Sequence, residues 1–205
     1  NDINYKSLIT LNNLDLTDSL TVTTRDQTII NIESEDTTHK LYGIAIDIGT
    51  TTVVIYLIDL NTGQTIDNYS LYNPQKKYGA DVISRINYAR DNEDGITNLK
   101  NELINGLNKG INKLVKNNEI THNDIYQATI VGNTVMMHTL VGMRTETIAK
   151  SPYIPMFTNN MDIKSQEIGI KINNKGLIQI LPSISGYVGA DIVGDMLAAN
   201  LNSFA

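Results

Sequence analysis

Cysteine is absent from this 205-residue chain. That excludes disulfides, thiolate zinc sites, cysteine-ligated iron–sulfur clusters and cysteine nucleophiles within it. Tryptophan is absent as well, and the three histidines, His39, His122 and His138, are scattered without metal-site spacing. Positive charge is in deficit, with 16 basic residues against 22 acidic ones and a formal net charge of −6. A broad nucleic-acid surface is therefore not expected. No apolar run approaches the roughly 18 residues of a membrane span, and no signal-like stretch opens the chain, so a cytoplasmic location without membrane contact is expected. An initiating methionine is missing too, and the chain is expected to be a piece of a longer protein.

What the chain has is enough apolar content, 41%, to build a packed core. Residues 1–40 differ from the rest. Two β-prone runs, 20–24 and 28–32, flank the turn-like Arg25-Asp26-Gln27 and predict a small hairpin, and the polar residues 33–38 look like a linker. From Leu41 the pattern sharpens. Residues 41–46, 53–58 and 64–71 predict a three-strand meander, with Asn61-Thr62-Gly63 as the second turn. Residues 80–89 predict a helix with Val82, Ile83, Ile86 and Ala89 on one face. Apolar residues from Ile96 to Val115 recur at helical spacing and predict a long amphipathic helix, despite Gly106 and Gly110 inside it. Residues 128–132 form a buried strand, and Asn133 can cap a helix over 134–141. The proline-bracketed segment 151–155 is rigid and extended, and Tyr153 within it is expected to be a packed anchor. A strand over 177–181 and a helix over 188–201 complete the series. That helix is expected to bury Ile192, Val193, Met196, Leu197 and Leu201. The fold class is α/β, in the order β-β-β-α-α-β-α-β-α behind a small β-rich appendage.

The most informative stretch is residues 43–53. An apolar strand delivers Asp47 to its end. Gly49 follows where a ligand can approach the backbone, and Thr50, Thr51 and Thr52 gather hydroxyls and N–H groups at one corner. Such a corner suits a nucleotide phosphate with its magnesium ion, the donors holding phosphate oxygens and the carboxylate the hydrated metal. The same residues also fit a plain β-turn leading into a threonine-rich strand. Neither G-x-x-x-x-G-K-[ST] nor G-x-G-x-x-G occurs.

Asp-x-Gly-Thr-Thr-Thr at the head of this series resembles the first phosphate motif of the actin, sugar-kinase and heat-shock-chaperone ATPase superfamily, a ribonuclease H-like fold. A wider set of segments resembles one branch, the reductive activators of corrinoid proteins. These are residues 42–52, Asn73-Pro74-Gln75 with residues 78–86, Val131-Gly132-Asn133-Thr134, residues 151–155 and residues 186–193. The resemblance implies a parent protein with a ferredoxin domain carrying a two-iron two-sulfur cluster, a linker, a middle domain and an actin-like ATPase domain. It implies that ATP drives an uphill electron transfer returning Co(II) corrinoid protein to Co(I). On that basis residues 1–40 are expected to be the tail of the middle domain, and residues 41–205 the first lobe of the ATPase domain. The lobe would carry half of a site for ATP and Mg2+. The missing lobe and the ferredoxin domain would be partners within the parent, and the isolated chain is expected to hydrolyse little or no ATP. An apolar face left where the second lobe docks would favour self-association, as a homodimer for instance.

The resemblance implies roles for further positions. Asp191, early in the last helix, is placed to orient the attacking water or the metal; a helix-opening acid that favours the dipole fits equally well. Gly132, Asn133 and Thr134, at a strand end, are placed to contact phosphate, and Asn133 also suits a simple cap. Asp81 and Arg85, four apart, are expected to pair on a helix, with a cleft-lining or partner-facing role as the alternative. His138 is expected to be a packed or solvated histidine. Lys76 and Lys77 are expected to be solvated. Three other readings remain: a small-molecule kinase of the same fold, a nucleotide-dependent scaffold, and an activator of acyl-CoA dehydratases, which the lack of cysteine disfavours.

Overall fold

The computed structural model describes residues 2–3, 5–14, 19–186 and 188–199. Two sheets organise it. The smaller holds β1 (Asp2–Ile3), β2 (Leu20–Arg25) and β3 (Thr28–Ser34) in the order β1-β3-β2, with α1 (Tyr5–Asn12) packed on β3. The hairpin matches its sequence signal. The short helix ahead of it, with its weak apolar face, had no clear signal.

The larger sheet has six strands. β4 (Tyr42–Ile48), β5 (Thr52–Asp59) and β6 (Thr65–Tyr72) form the expected meander. β7 (Ile125–Gly132) pairs parallel to β4, and β9 (Leu177–Ile180) pairs parallel to β7. β8 (Met161–Lys164) closes the edge antiparallel to β9, giving the order β6-β5-β4-β7-β9-β8. Together with its helices this is a mixed α/β, sheet-rich fold. β8 is an addition to the expected order, as are the four-residue helices Glu146–Ala149 and Ser165–Ile168.

One face of the sheet holds the core. Alternate residues Ile44, Ile46, Ile48, Val53, Ile55 and Leu57 are buried against the long helix α3 (Gly95–Asn117), through Leu103, Leu107, Ile111 and Leu114. Gly106 and Gly110 are there for closeness: an added Cβ would lie 2.8 Å from Pro74 Cγ and 2.6 Å from Ile55 Cδ1 respectively. Helix α2 (Val82–Asp91) precedes α3. Its Ile86 is buried as expected, but Ile83 is exposed, because Arg85 occupies the inward position.

Two further helices flank β7. α4 (Thr134–Val141) starts where the periodicity placed it, with Asn133 as its cap accepting from Met136 N. The last described helix, α5 (Ala190–Ala198), lies on the opposite face from α3: an added Cβ at its Gly194 would lie 3.3 Å from Val131 Cγ1. Its burial differs from expectation. Ala190 is buried, Val193 is half-buried, and Ile192, Met196 and Leu197 are exposed; Leu201 lies outside the described residues. The small Gly194 brings the helix onto the sheet, so its large apolar residues turn outward. Tyr153 is likewise exposed rather than packed.

Candidate functional site

The carboxyl ends of β4 and β7 lie side by side. Asp47 is the register partner of Val131, and Ile48 that of Gly132. Register partners on parallel strands point to the same face, so Asp47 shares the face that carries α5. The start of α5 reaches this corner by close backbone contact: a Cβ on Gly189 would lie 2.6 Å from Asn133 Cα and 2.9 Å from Gly132 O. The structure therefore brings together the three segments that the sequence separates by some 140 positions, at Asp47–Thr52, Gly132–Thr134 and Asp191.

The turn Gly49–Thr51 is held from behind. Asn73 Nδ2 donates to Gly49 O at 2.8 Å, Arg85 Nη2 to Thr50 O at 2.7 Å, and Asn73 N to Thr51 O at 2.8 Å. In a trans peptide the carbonyl and the following N–H point in opposite directions. The N–H groups of Thr50 and Thr51 are therefore turned away from Asn73 and Arg85. Asn133 Nδ2 donates to Thr50 Oγ1 at 3.1 Å and fixes that hydroxyl. Thr51 and Thr52 are exposed. Successive N–H groups presented in this way are the kind of arrangement that can accept an anion.

Asp47 stands beside them. It retains solvent contact, yet the surrounding protein removes enough water to push its carboxyl pKa up, and the negative charges of Asp191 and Asp195 push it further the same way. Asp195 follows Asp191 by four positions on α5, so both face one way. That i, i+4 spacing is legible in the sequence. Among the described residues no three histidine or acidic side chains converge to hold a metal. Magnesium does not need such a cage: it commonly keeps its waters and takes one or two carboxylates together with substrate phosphates. Asp47 beside a turn with outward-facing N–H groups fits that mode.

Other expected contributors are placed differently. Thr134 is buried, and its hydroxyl donates to Ser185 O at 2.8 Å, so that hydroxyl is committed to holding the loop ahead of α5. Asp81 and Arg85 do not form the expected ion pair. Asp81 caps α2, accepting from Ser84 N at 2.8 Å, while Arg85 turns inward to Thr50, Gly79 and Gln75. Burial lowers the Arg85 pKa, and the more distant Asp81 opposes that in part. Lys77 is exposed, as expected, and pairs with Glu102 at 2.6 Å. His138 is a packed histidine. Its Nδ1 meets Thr134 O at 2.7 Å, its Nε2 accepts from Met156 N at 2.9 Å, and its ring stacks on Phe157 with centroids 4.5 Å apart.

Fold and corner together define a mixed α/β, sheet-rich unit that gathers an acidic residue and a turn with outward-facing N–H groups at its strand ends. Residues 42–203 match the family described as the RACo middle region, and the chain belongs to that family. It is similar to the corrinoid activation enzyme RamQ of Eubacterium limosum, with 32% identity over 166 residues, covering 81% of this chain and 28% of that protein. It is also similar to the solved structure of a reductive activator for corrinoid, iron-sulfur protein. There the TM-score is 0.89 and the identity 33%, over 97% of this chain and 33% of that one. The chain thus spans about a third of the length of these relatives.

Proposed function

We propose that this chain is part of an ATP-dependent reductive activator of corrinoid proteins, and that it supplies the first phosphate-binding half of the ATP site. Residues 41–205 would be the first lobe of an actin-like ATPase domain, and residues 1–40 the tail of the domain before it. The observation that carries the reading is the turn at Gly49–Thr51, whose N–H groups at Thr50 and Thr51 face away from Asn73 and Arg85, with Asp47 beside it. Family membership and the names of the two relatives supply the corrinoid context.

In this reading the Thr50 and Thr51 N–H groups and the exposed Thr51 and Thr52 hydroxyls bind phosphate oxygens. Asp47 orients a hydrated magnesium ion, and Asn133 keeps the Thr50 hydroxyl in place. Asp191, at the start of α5, positions the water that attacks the terminal phosphate. Bound Mg·ATP would supply the free energy for moving one electron to Co(II), giving Co(I). That electron would come from a two-iron two-sulfur cluster elsewhere in the parent, because this chain has no thiolate to ligate one. The corrinoid protein would be the partner and electron acceptor, and the second ATPase lobe would complete the nucleotide site.

The test uses the full-length protein with its corrinoid partner. Co(I) formation is followed by its absorbance, with and without ATP. The wild type is expected to need ATP, and Asp47→Ala to lose the ATP-dependent part. ATP-dependent Co(I) formation that persists undiminished in Asp47→Ala would refute the assignment.

A further inference from the structure

Arg85 is fully buried at 0% exposure, with no carboxylate within ion-pairing distance among the described residues. Buried arginines almost always have an acidic partner, because an uncompensated charge is costly to remove from water. This guanidinium has neutral partners instead. Nε donates to Gly79 O at 3.0 Å and Nη2 to Thr50 O at 2.7 Å, and Nη1 lies 3.4 Å from both Gln75 Oε1 and Met136 Sδ. Gln75 is itself buried and held by Leu99 O and Thr139 Oγ1, each at 3.1 Å. The charge is thus fixed in place without an ion-pair partner, the more distant Asp81 offsetting it in part. It bonds two carbonyls, Gly79 O and Thr50 O, and the second belongs to the Thr50–Thr51 peptide, whose N–H faces the opposite way.

We infer that Arg85 is a positioning residue that makes the Thr50–Thr51 corner an anion site, by orienting and polarising that peptide from behind. A cation bonded to a carbonyl oxygen draws electron density through the amide and makes its N–H a stronger donor. The need for it is visible on the other side of the corner, where Asp47, Asp191 and Asp195 give a field that repels phosphate. A phosphate bound there would meet a partly compensated field, with the buried positive charge one peptide group away. The inference rests on the phosphate-site reading above and adds the residue that gives that site its affinity.

The experiment measures binding of Mg·ATP and of adenosine to the full-length protein by calorimetry, for wild type, Arg85→Lys, Arg85→Met and Gln75→Glu. Arg85→Met is expected to weaken Mg·ATP binding by roughly tenfold or more and to change adenosine binding by less than about twofold, since what is lost is charge-assisted. Arg85→Lys keeps a cationic group but loses the fork that reaches Gly79 O and Thr50 O together, and is expected to fall between wild type and Arg85→Met. Gln75→Glu places a carboxylate against the guanidinium and is expected to weaken Mg·ATP selectively without removing the arginine. It keeps the test decisive if Arg85→Met fails to fold. Equal loss in Arg85→Lys and Arg85→Met, a parallel loss of adenosine, or wild-type affinity in Gln75→Glu would overturn the inference. Absence of Mg·ATP binding in the wild type would instead refute the nucleotide site itself.

Discussion

Asn133 and Thr50 join the two halves of the corner: the Asn133 Nδ2 donates to Thr50 Oγ1 at 3.1 Å, while its Oδ1 accepts from Met136 N at 3.0 Å. One side chain thus starts α4 and holds a hydroxyl of the turn after β4. The two functions are separable by substitution. Asn133→Asp keeps a good cap but loses the amide donor and adds negative charge near Asp47. It is expected to preserve thermal stability and weaken Mg·ATP binding in the full-length protein. Asn133→Ala loses both, and should cost about 1 kcal/mol of stability, a Tm drop of about 2–4 °C in a chain of this size. Melting curves and a nucleotide titration on the two variants decide it.

Asp47 in its ionised form works against folding at neutral pH. Its pKa is raised in the folded chain by burial first, then by Asp191 and Asp195. A raised carboxyl pKa means that the folded state binds the proton more tightly than the unfolded one. The associated stability is present at low pH and is lost as pH rises through the folded pKa, so at neutral pH the ionised group works against folding. Asp47→Asn is therefore expected to raise Tm slightly at pH 7 while Mg·ATP binding falls. The partial solvent contact of the group keeps the gain to a fraction of a kcal/mol. A lower Tm for Asp47→Asn at pH 7 would contradict this.

His138 carries a pH dependence of opposite sign. Burial lowers its pKa below the ordinary 6.5, its largest influence, with the bond to Thr134 O opposing. Above 6.5 the ring is neutral in both states and adds no slope. As pH falls below 6.5 the unfolded chain takes up a proton that the folded one resists, so stability falls. Protonation also converts Nε2 from the acceptor of Met156 N into a donor, which breaks that contact. His138→Leu is expected to be less stable than wild type at pH 8 and to have a flatter stability profile just below 6.5. Urea melts across that range would show it, and parallel profiles would refute the assignment.

Gly189 keeps Asp191 at the corner. An added Cβ would meet backbone, at Asn133 Cα and Gly132 O, and backbone cannot swing aside as a side chain can. Gly189→Ala is expected to cost about 1–3 kcal/mol and to speed hydrogen exchange in the segment that begins α5. Gly63, in the turn between β5 and β6, has open space around it but a φ of +73°. Gly63→Ala should therefore lose only the cost of that conformation, about 1 kcal/mol, with no change at the corner.

Much of this was legible in the sequence where local pattern and tertiary role agree. The β4–turn–β5 motif, the long helix α3 and the Asn133 cap of α4 each rest on periodicity or capping chemistry that acts within a few residues. Arg85 was not legible. Its spacing from Asp81 satisfies the i, i+4 pairing rule, yet its best bond is to Thr50 O, 35 positions away, and no local signal reports that. The apolar side of α5 differs from its sequence pattern for a related reason. Periodicity identifies an apolar stripe but not what covers it, and here Gly194 faces the sheet while Ile192, Met196 and Leu197 face out. β8 is a four-residue edge strand, too short for alternation to separate from a loop.

The proposed nucleotide phosphate contact lies at the Gly49–Thr52 turn. Hydrogen exchange of the full-length protein with and without Mg·ATP, followed by mass spectrometry, tests it most directly. The account predicts slower exchange at Thr50 and Thr51 in the wild type, and none of that protection in Asp47→Ala. Mg·ATP that binds while leaving exchange at Gly49–Thr52 unchanged would contradict it.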